Sequence, residues 1–164
     1  MHRIRLFCAL AAAGWLATAV AQETKTEKAF DSWVVNCSET AEGKNCAMSQ
    51  TLRDAKTKQM VLTVVVARTK DGKNIVTIRT PVGVLLPAGL GLAIEGGPET
   101  TAQYRFCGPR ACHAQFEVAG EVLDAFRKQA AFTATFSRLD GQRLSVAGSL
   151  KGFSSAYDFL AAQG

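Results

Sequence analysis

The stretch CGPRACH, residues 107–113, holds the residue types in this chain that are best suited to chemistry. Cys107 and Cys112 flank four residues, and His113 follows directly, so the stretch could be a redox centre, half of a metal site or a disulfide-closed turn. A thioredoxin-type centre has about two residues between its cysteines and lies at a helix N-terminus. Structural zinc sites draw on closely spaced pairs of cysteines and histidines. The wider spacing and the strand-like flanks favour a structural disulfide, with redox activity and metal binding as alternatives.

Residues 1–21 have the pattern of a secretory signal peptide. Two arginines precede an apolar, alanine-rich run over residues 6–20, and a small-x-small sequence ends at Ala21. This run is shorter than the roughly 20 strongly apolar residues that span a bilayer. We expect cleavage before Gln22, no stable membrane span in the mature chain, and a periplasmic or secreted protein. Association with the outer membrane is a further option.

The cysteines that follow the signal peptide predict two disulfides. An even number of cysteines in an exported protein implies a disulfide framework, and four cysteines allow three connectivities. We favour the local pairing, because each local pair brackets a turn-rich stretch. Directly opposed residues of antiparallel strands also have Cα atoms about 4.5 to 5.5 Å apart, within reach of a disulfide. The predicted disulfide residues are Cys37, Cys46, Cys107 and Cys112.

The remaining sequence predicts a mainly β fold of sandwich-like antiparallel sheets with two short helices. Short apolar or alternating runs, separated by turn signals such as Asp71-Gly72 and Asp140-Gly141, are typical of strands and hairpins. Residues 121–130 and 154–162 instead have helical periodicity. We predict a flexible leader over residues 22–29 and a single domain over residues 30–164. The predicted strands cover residues 33–37, 46–52, 61–69, 74–80, 91–95, 102–107, 111–118, 132–139 and 143–150.

Other kinds of site receive little support from the residue pattern. The glycines of residues 82–97 do not follow a strand into a helix, so neither a dinucleotide fingerprint nor a phosphate loop fits. No G-x-S-x-G elbow is present, and His113 beside a predicted disulfide is a poor candidate for a catalytic base. The positive charges are spread along the chain without a basic block, which argues against nucleic-acid binding. We therefore predict no catalytic residues, no metal site and no cofactor.

Five stretches in a fixed order resemble the invasion-associated locus B family of exported bacterial proteins. The resemblance implies a periplasmic or surface-associated protein with a sandwich-like β fold, disulfide-bonded cysteines and no catalytic residues. The family takes its name from members linked to the entry of bacteria into host cells, although the resemblance does not require that role here. Glu95 departs from the aspartate that the family pattern has in this turn. The stretches are FDSWVVNC, CAMSQ, TPVGVLLPAGLGLAIEGG, YRFCGPRAC and SLKGFSSAYDFL.

The leading functional hypothesis is a non-enzymatic binding protein whose partner is an envelope or host-surface protein. The tip of the predicted hairpin, Pro109 and Arg110, is the candidate partner-binding surface. A periplasmic thiol-disulfide enzyme that uses Cys107 and Cys112 is one alternative. A carrier of a small ligand, held between the sheets, is another.

Overall fold

Ten strands and two α-helices are present in the computed structural model, which describes residues 25–41 and 43–163. The predicted signal peptide lies outside the described residues. A short 3-10 helix, Leu86–Ala88, precedes the sixth strand. The α-helices are α1 (Gly120–Lys128) and α2 (Phe153–Ala161). The strands are β1 (Lys25–Phe30), β2 (Trp33–Thr40), β3 (Gly43–Arg53), β4 (Met60–Arg68), β5 (Asn74–Thr80), β6 (Leu90–Ile94), β7 (Glu99–Cys107), β8 (Cys112–Val118), β9 (Ala131–Ser137) and β10 (Arg143–Ser149).

The strands form one antiparallel sheet that folds over its own core. Their order is β1-β2-β3-β4-β5-β8-β7-β6-β9-β10. The first half of β7 pairs with β6 and the second half pairs with β8, so β7 passes from one layer to the other. This architecture confirms the predicted mainly β fold class, including the two short helices.

Alternating side chains explain which strand faces are buried. In β9, Phe132, Ala134 and Phe136 are buried and the residues between them are only half-buried. Side chains alternate between the two faces of a strand, so this period-two pattern supplies one apolar face to the core. Gly72 and Gly141, in the two predicted Asp-Gly turns, both have positive φ, at 81° and 83°. Each turn connects two strands that pair as a hairpin, as the sequence predicts.

The two helices cover the core where aromatic side chains meet. Phe126 of α1 and Phe153 of α2 are buried, with ring centroids 5.1 Å apart. Trp33 of β2 is fully buried and packs edge-on against Phe153 at 5.1 Å. Aromatic pairs at this separation add to the free energy gained from burial. Both helices therefore pack onto the core. None of the helices in the described part of the chain is long and apolar enough to cross a membrane.

The prediction of a flexible leader over residues 22–29 is wrong for residues 25–29. Residues 25–30 form β1, which pairs along its whole length with β2, from Lys25 opposite Ser38 to Phe30 opposite Trp33. Most side chains of β1 are exposed, so the strand lacks the apolar alternation that identifies a strand in sequence. Backbone hydrogen bonds to β2 order this segment, and they leave no trace in its composition.

Candidate functional site

The hairpin of β7 and β8 brings the predicted site residues together. Cys107 and Cys112 lie directly opposite each other and are joined by a disulfide. The Gly108 amide donates a hydrogen bond to the Ala111 carbonyl at 2.8 Å, which closes the turn beyond the disulfide. Pro109 and Arg110 are exposed at the tip, as predicted. The disulfide and the turn hydrogen bond together restrict the backbone of this tip.

The other cysteine pair joins β2 to β3 in the same way. Cys37 lies directly opposite Cys46 in the strand ladder, and the two are disulfide-bonded. The structure thus contains the local pairing that the sequence favours. Disulfides persist in oxidising compartments, so the two bridges fit an exported protein. Cys37 is buried in the core, which indicates a structural bridge here.

A β-bulge changes the direction of Phe106. Tyr104 lies opposite Ala114, but Phe106 lies opposite His113, so Arg105 is an extra residue in β7. Regular alternation would place Phe106 on the same face as Tyr104, toward the core. The bulge instead turns Phe106 to the outer face, where 55% of it is exposed. Bulges commonly redirect a side chain in this way next to functional sites.

The Phe106 ring stacks on the His113 imidazole. The ring centroids are 4.4 Å apart and the planes differ by 14°. Arg79 of β5 lies directly opposite His113 in the neighbouring ladder and is exposed. Partial burial, and to a lesser extent the positive charge of Arg79, lowers the pKa of His113 below its usual value. His113 is therefore a neutral stacking partner for Phe106 at neutral pH.

Behind this face, the hairpin is anchored to β5 through a polar contact. Tyr104 and Thr80 share a hydrogen bond between their hydroxyl groups at 3.2 Å. Thr80 is fully buried, and burial raises the pKa of Tyr104 above its usual range. The tyrosine stays neutral, and its role in this position is to fix the hairpin against β5.

We define the hairpin surface as the exposed or half-exposed residues around Phe106: Arg79, Arg105, Phe106, Pro109, Arg110 and His113. Sequence reasoning identified the tip but missed Phe106 and Arg79. The bulge at Arg105 has no glycine or other local marker, so Phe106 reads as an ordinary buried strand residue. Arg79 joins the surface only through the pairing of β5 with β8, which sequence patterns do not specify.

The surroundings of the hairpin cysteines bear on the redox and metal-binding alternatives. Cys107 and Cys112 lie on strands, whereas the cysteines of a thioredoxin-type centre lie at a helix N-terminus. Among the described residues, no three histidine, cysteine or acidic side chains are grouped closely enough to hold a metal. Two acidic side chains, Glu117 and Asp158, form surface ion pairs with Lys73 and Arg127.

One family model matches most of the chain, and one solved structure has a similar fold. A family model described as "Invasion associated locus B (IalB) protein" matches residues 33–161. The crystal structure of invasion associated protein b from Bartonella henselae superposes with a TM-score of 0.76 at 20% sequence identity. The match covers 84% of this chain and 95% of that one, and at this identity it speaks for the fold. No curated protein matches the chain in a sequence search.

Proposed function

Because the chain belongs to the invasion associated locus B family, we propose that it is an exported, non-enzymatic protein of the bacterial envelope or surface. We propose further that it binds another protein through the hairpin surface. The family match covers residues 33–161, which include both helices and every strand except β1. Export is supported by the predicted signal peptide and by the two disulfides.

The observation that carries the binding proposal is the exposed Phe106. Phe106 is 55% exposed, so a partner that covered it would gain the free energy of burying an aromatic side chain. The ring is held flat against His113 and next to a disulfide-closed turn, so little conformational entropy is lost when a partner binds. Exposed aromatic and arginine side chains on a rigid support are the groups that most often dominate protein interfaces.

The charges around Phe106 indicate what the partner offers. Arg79, Arg105 and Arg110 are all exposed, and none of them has an ion pair within the described residues. Arginine binds carboxylates through paired hydrogen bonds. The matching partner surface would carry acidic side chains beside an apolar contact for Phe106.

Affinity capture tests this proposal. The tagged mature chain is incubated with bacterial envelope extract and, separately, with host-cell membrane extract, and bound proteins are identified. We expect a protein retained by the wild type and reduced about tenfold or more with Phe106→Ala combined with Arg110→Ala. The matched control is Leu139→Ala, since Leu139 is 71% exposed but lies outside the hairpin surface. Equal capture by all three proteins would overturn the proposed surface.

A separate measurement tests whether the protein is a thiol-disulfide enzyme. Cys107 is exposed, so a thiol-disulfide enzyme is the second candidate. We expect no insulin reduction by the mature protein and a reduction potential for the Cys107–Cys112 bridge below about −300 mV, as for structural disulfides. Catalytic insulin reduction that is lost in Cys107→Ser would favour the enzyme.

A further inference from the structure

β10 is an end strand of the sheet, and one side of it has no strand partner in the described part of the chain. Its backbone groups that face away from β9 can be identified from Ser149. The Ser149 amide donates to the Gln50 side chain at 3.2 Å, and the Ser149 carbonyl accepts from Gln50 Nε2 at 2.8 Å. Backbone direction alternates along a strand, so the amides and carbonyls of Ser145 and Ala147 point the same way. Both residues are exposed.

The contact of Gln50 with Ser149 imitates the pairing of a neighbouring strand. A carboxamide has the same donor and acceptor as a peptide unit, and here it engages both backbone groups of one residue. Trp33 Nε1 adds a second hydrogen bond to the Ser149 carbonyl at 3.1 Å. The chain therefore satisfies one end of the β10 edge internally, and within the part of the chain that the structure describes residues 143–147 have no such cover.

A groove of about 780 Å³ lies beside this uncovered edge. Met60 and Val61 of β4 and Leu144 and Val146 of β10 line it, and all four are half-buried. β3 borders the same groove. The ladder of β2 with β3 ends at Ser49, so residues 51–53 of β3 pair only with β4. The groove thus has an apolar lining between two strands that have free edges.

The charge at the rim of the groove is positive. Arg53, Lys56 and Arg138 line it, and Arg138 is paired with Asp140. The one acidic lining residue, Asp54, is occupied within its own turn. Its Oδ1 atom accepts hydrogen bonds from the Thr57 amide, the Thr57 hydroxyl and the Lys56 amide, and these bonds lower its pKa, so the carboxylate keeps its negative charge. Arg53 Nη1 also donates a hydrogen bond to the Lys58 carbonyl at 3.2 Å, so its other nitrogens and the Lys56 ammonium are available to an incoming ligand. With Arg138 paired to Asp140, the charges of Arg53 and Lys56 outweigh that of Asp54, and the rim keeps a net positive charge.

We propose that this groove binds an extended acidic segment of a partner protein, which adds to β10 as a further strand. The segment would pair with the backbone of Ser145 and Ala147, as in other cases of strand addition to a sheet edge. Its alternate apolar side chains would contact Leu144 and Val146, and its acidic residues would meet Arg53 and Lys56. The inference goes beyond the proposed function because it involves a different surface from the hairpin.

The same charges argue against a second copy of this chain as the occupant. Two β10 edges that paired with each other would bring their rims, with Arg53 and Lys56, together. Charged side chains at an edge strand commonly prevent such self-pairing. An acidic partner converts this repulsion into attraction, which is the complementarity that gives specificity.

Binding of designed peptides tests the proposal on the full mature chain. The probe is a fluorescent eight-residue peptide of alternating valine and glutamate, and its matched control has lysine in place of glutamate. We expect the acidic peptide to bind at least about tenfold more tightly than the lysine peptide, with the difference shrinking as salt is raised. We also expect that backbone N-methylation on the edge that pairs weakens binding by about tenfold or more, because it removes the donors to β10.

Two protein variants locate the site. In Ala147→Pro the lost amide points away from β9, so the β9–β10 ladder is retained while binding falls. Arg53→Ser combined with Lys56→Ser should weaken binding of the acidic peptide about tenfold. Lys70→Ser should leave this binding unchanged, because Lys70 is an exposed lysine elsewhere on the molecule. If Ala147→Pro does not fold, the N-methylated peptide against the wild-type chain provides the same test.

Several results would overturn the proposal. They are equal binding of the acidic and lysine peptides, unchanged binding after N-methylation of either peptide edge, or displacement of the peptide by a fatty acid that binds the groove more tightly. Dimerisation of the chain that Ala147→Pro abolishes would assign the edge to a second copy. Phe106→Ala should leave peptide binding unchanged, so failure here is distinguishable from failure of the hairpin surface.

Discussion

In the strand ladders His113 lies between Phe106 and Arg79, and its surroundings disfavour the protonated imidazole. Burial comes first among the causes of its lowered pKa and Arg79 second. Since the pKa in the unfolded chain is about 6.5, the unfolded state takes up a proton before the folded state as the pH falls. The stability contribution of neutral His113 is therefore present above about pH 6.5 and is lost as the pH falls toward the folded pKa.

We predict that His113→Gln reduces the pH dependence of the free energy of unfolding. The measurement is chemical denaturation of wild type and variant at about pH 7.5 and about pH 5.5. Between these two pH values the wild type should lose more stability than the variant, since only the wild type has the imidazole. A variant that loses as much stability as the wild type would show that other groups cause the change.

Gly148 is a second single residue on which packing depends. A Cβ atom at Gly148 would overlap the ring of Phe132, which lies directly opposite it in β9. We predict that Gly148→Ala lowers the free energy of unfolding by about 1 to 3 kcal/mol, the usual cost of overfilling a core. Gly91→Ala is the matched control, because its Cβ would be 3.8 Å from the nearest atom, the Thr135 carbonyl oxygen. Equal loss in both variants would point to strand propensity instead of the Phe132 ring.

At the scale of elements, each disulfide connects the two neighbouring strands of its own hairpin. The bridges close short loops, with sequence separations of 9 for Cys37–Cys46 and 5 for Cys107–Cys112. A bridge stabilises chiefly by restricting the unfolded chain, and the effect grows slowly with loop length.

We predict that Cys37→Ala combined with Cys46→Ala lowers the free energy of unfolding by about 2 to 3 kcal/mol. The corresponding double variant at Cys107 and Cys112 should lose a similar or slightly smaller amount. Guanidinium denaturation of the wild type and of each double variant measures both losses in the free energy of unfolding. A double variant as stable as the wild type would contradict the structural role of that bridge.

The bulge in β7 is the element-scale feature that shapes the hairpin surface. One extra residue, Arg105, places Phe106 outside the core while Tyr104 keeps its contact with Thr80. The strand, the hairpin and the bridge at its end could be predicted from sequence, because cysteine spacing and turn residues are local. The bulge could not, since it depends on how β7 fits against β8.

At the scale of the whole molecule, Gln50 connects the two layers of the sheet. Its buried amide donates to the carbonyls of Ser32 and Ser149 and accepts from the Ser149 amide, 99 residues away in sequence. Buried polar groups that lose a partner cost about 1 to 3 kcal/mol each. The contact therefore stabilises the meeting of β3 with β10.

We predict that Gln50→Ala lowers the free energy of unfolding by about 1 to 3 kcal/mol and speeds hydrogen exchange at the Ser149 amide. Gln142→Ala is the control, since Gln142 is exposed in the β9–β10 turn. Denaturation and amide exchange measure the two effects. Unchanged exchange at Ser149 would show that the Gln50 contact does not protect this edge.

The sequence by itself determined the features that depend on neighbouring residues. Alternating apolar residues, Asp-Gly turns and cysteine spacing predicted nine of the strands, both helices and both bridges, because these signals arise from local backbone and side-chain preferences. The order of motifs also indicated the family that the comparison over residues 33–161 supports. The hairpin tip at Pro109 and Arg110 could also be predicted, because the turn residues between the two cysteines are a local signal.

Only the tertiary structure decided the features that depend on strands distant in sequence. β1 is a strand because β2 supplies its hydrogen bonds, and Arg79 joins the hairpin surface because β5 pairs with β8. The free edge of β10 and its cover by Gln50 and Trp33 arise from the meeting of the two ends of the sheet. Strand pairing is made by backbone groups that every residue carries, so residue types alone do not encode which strands meet.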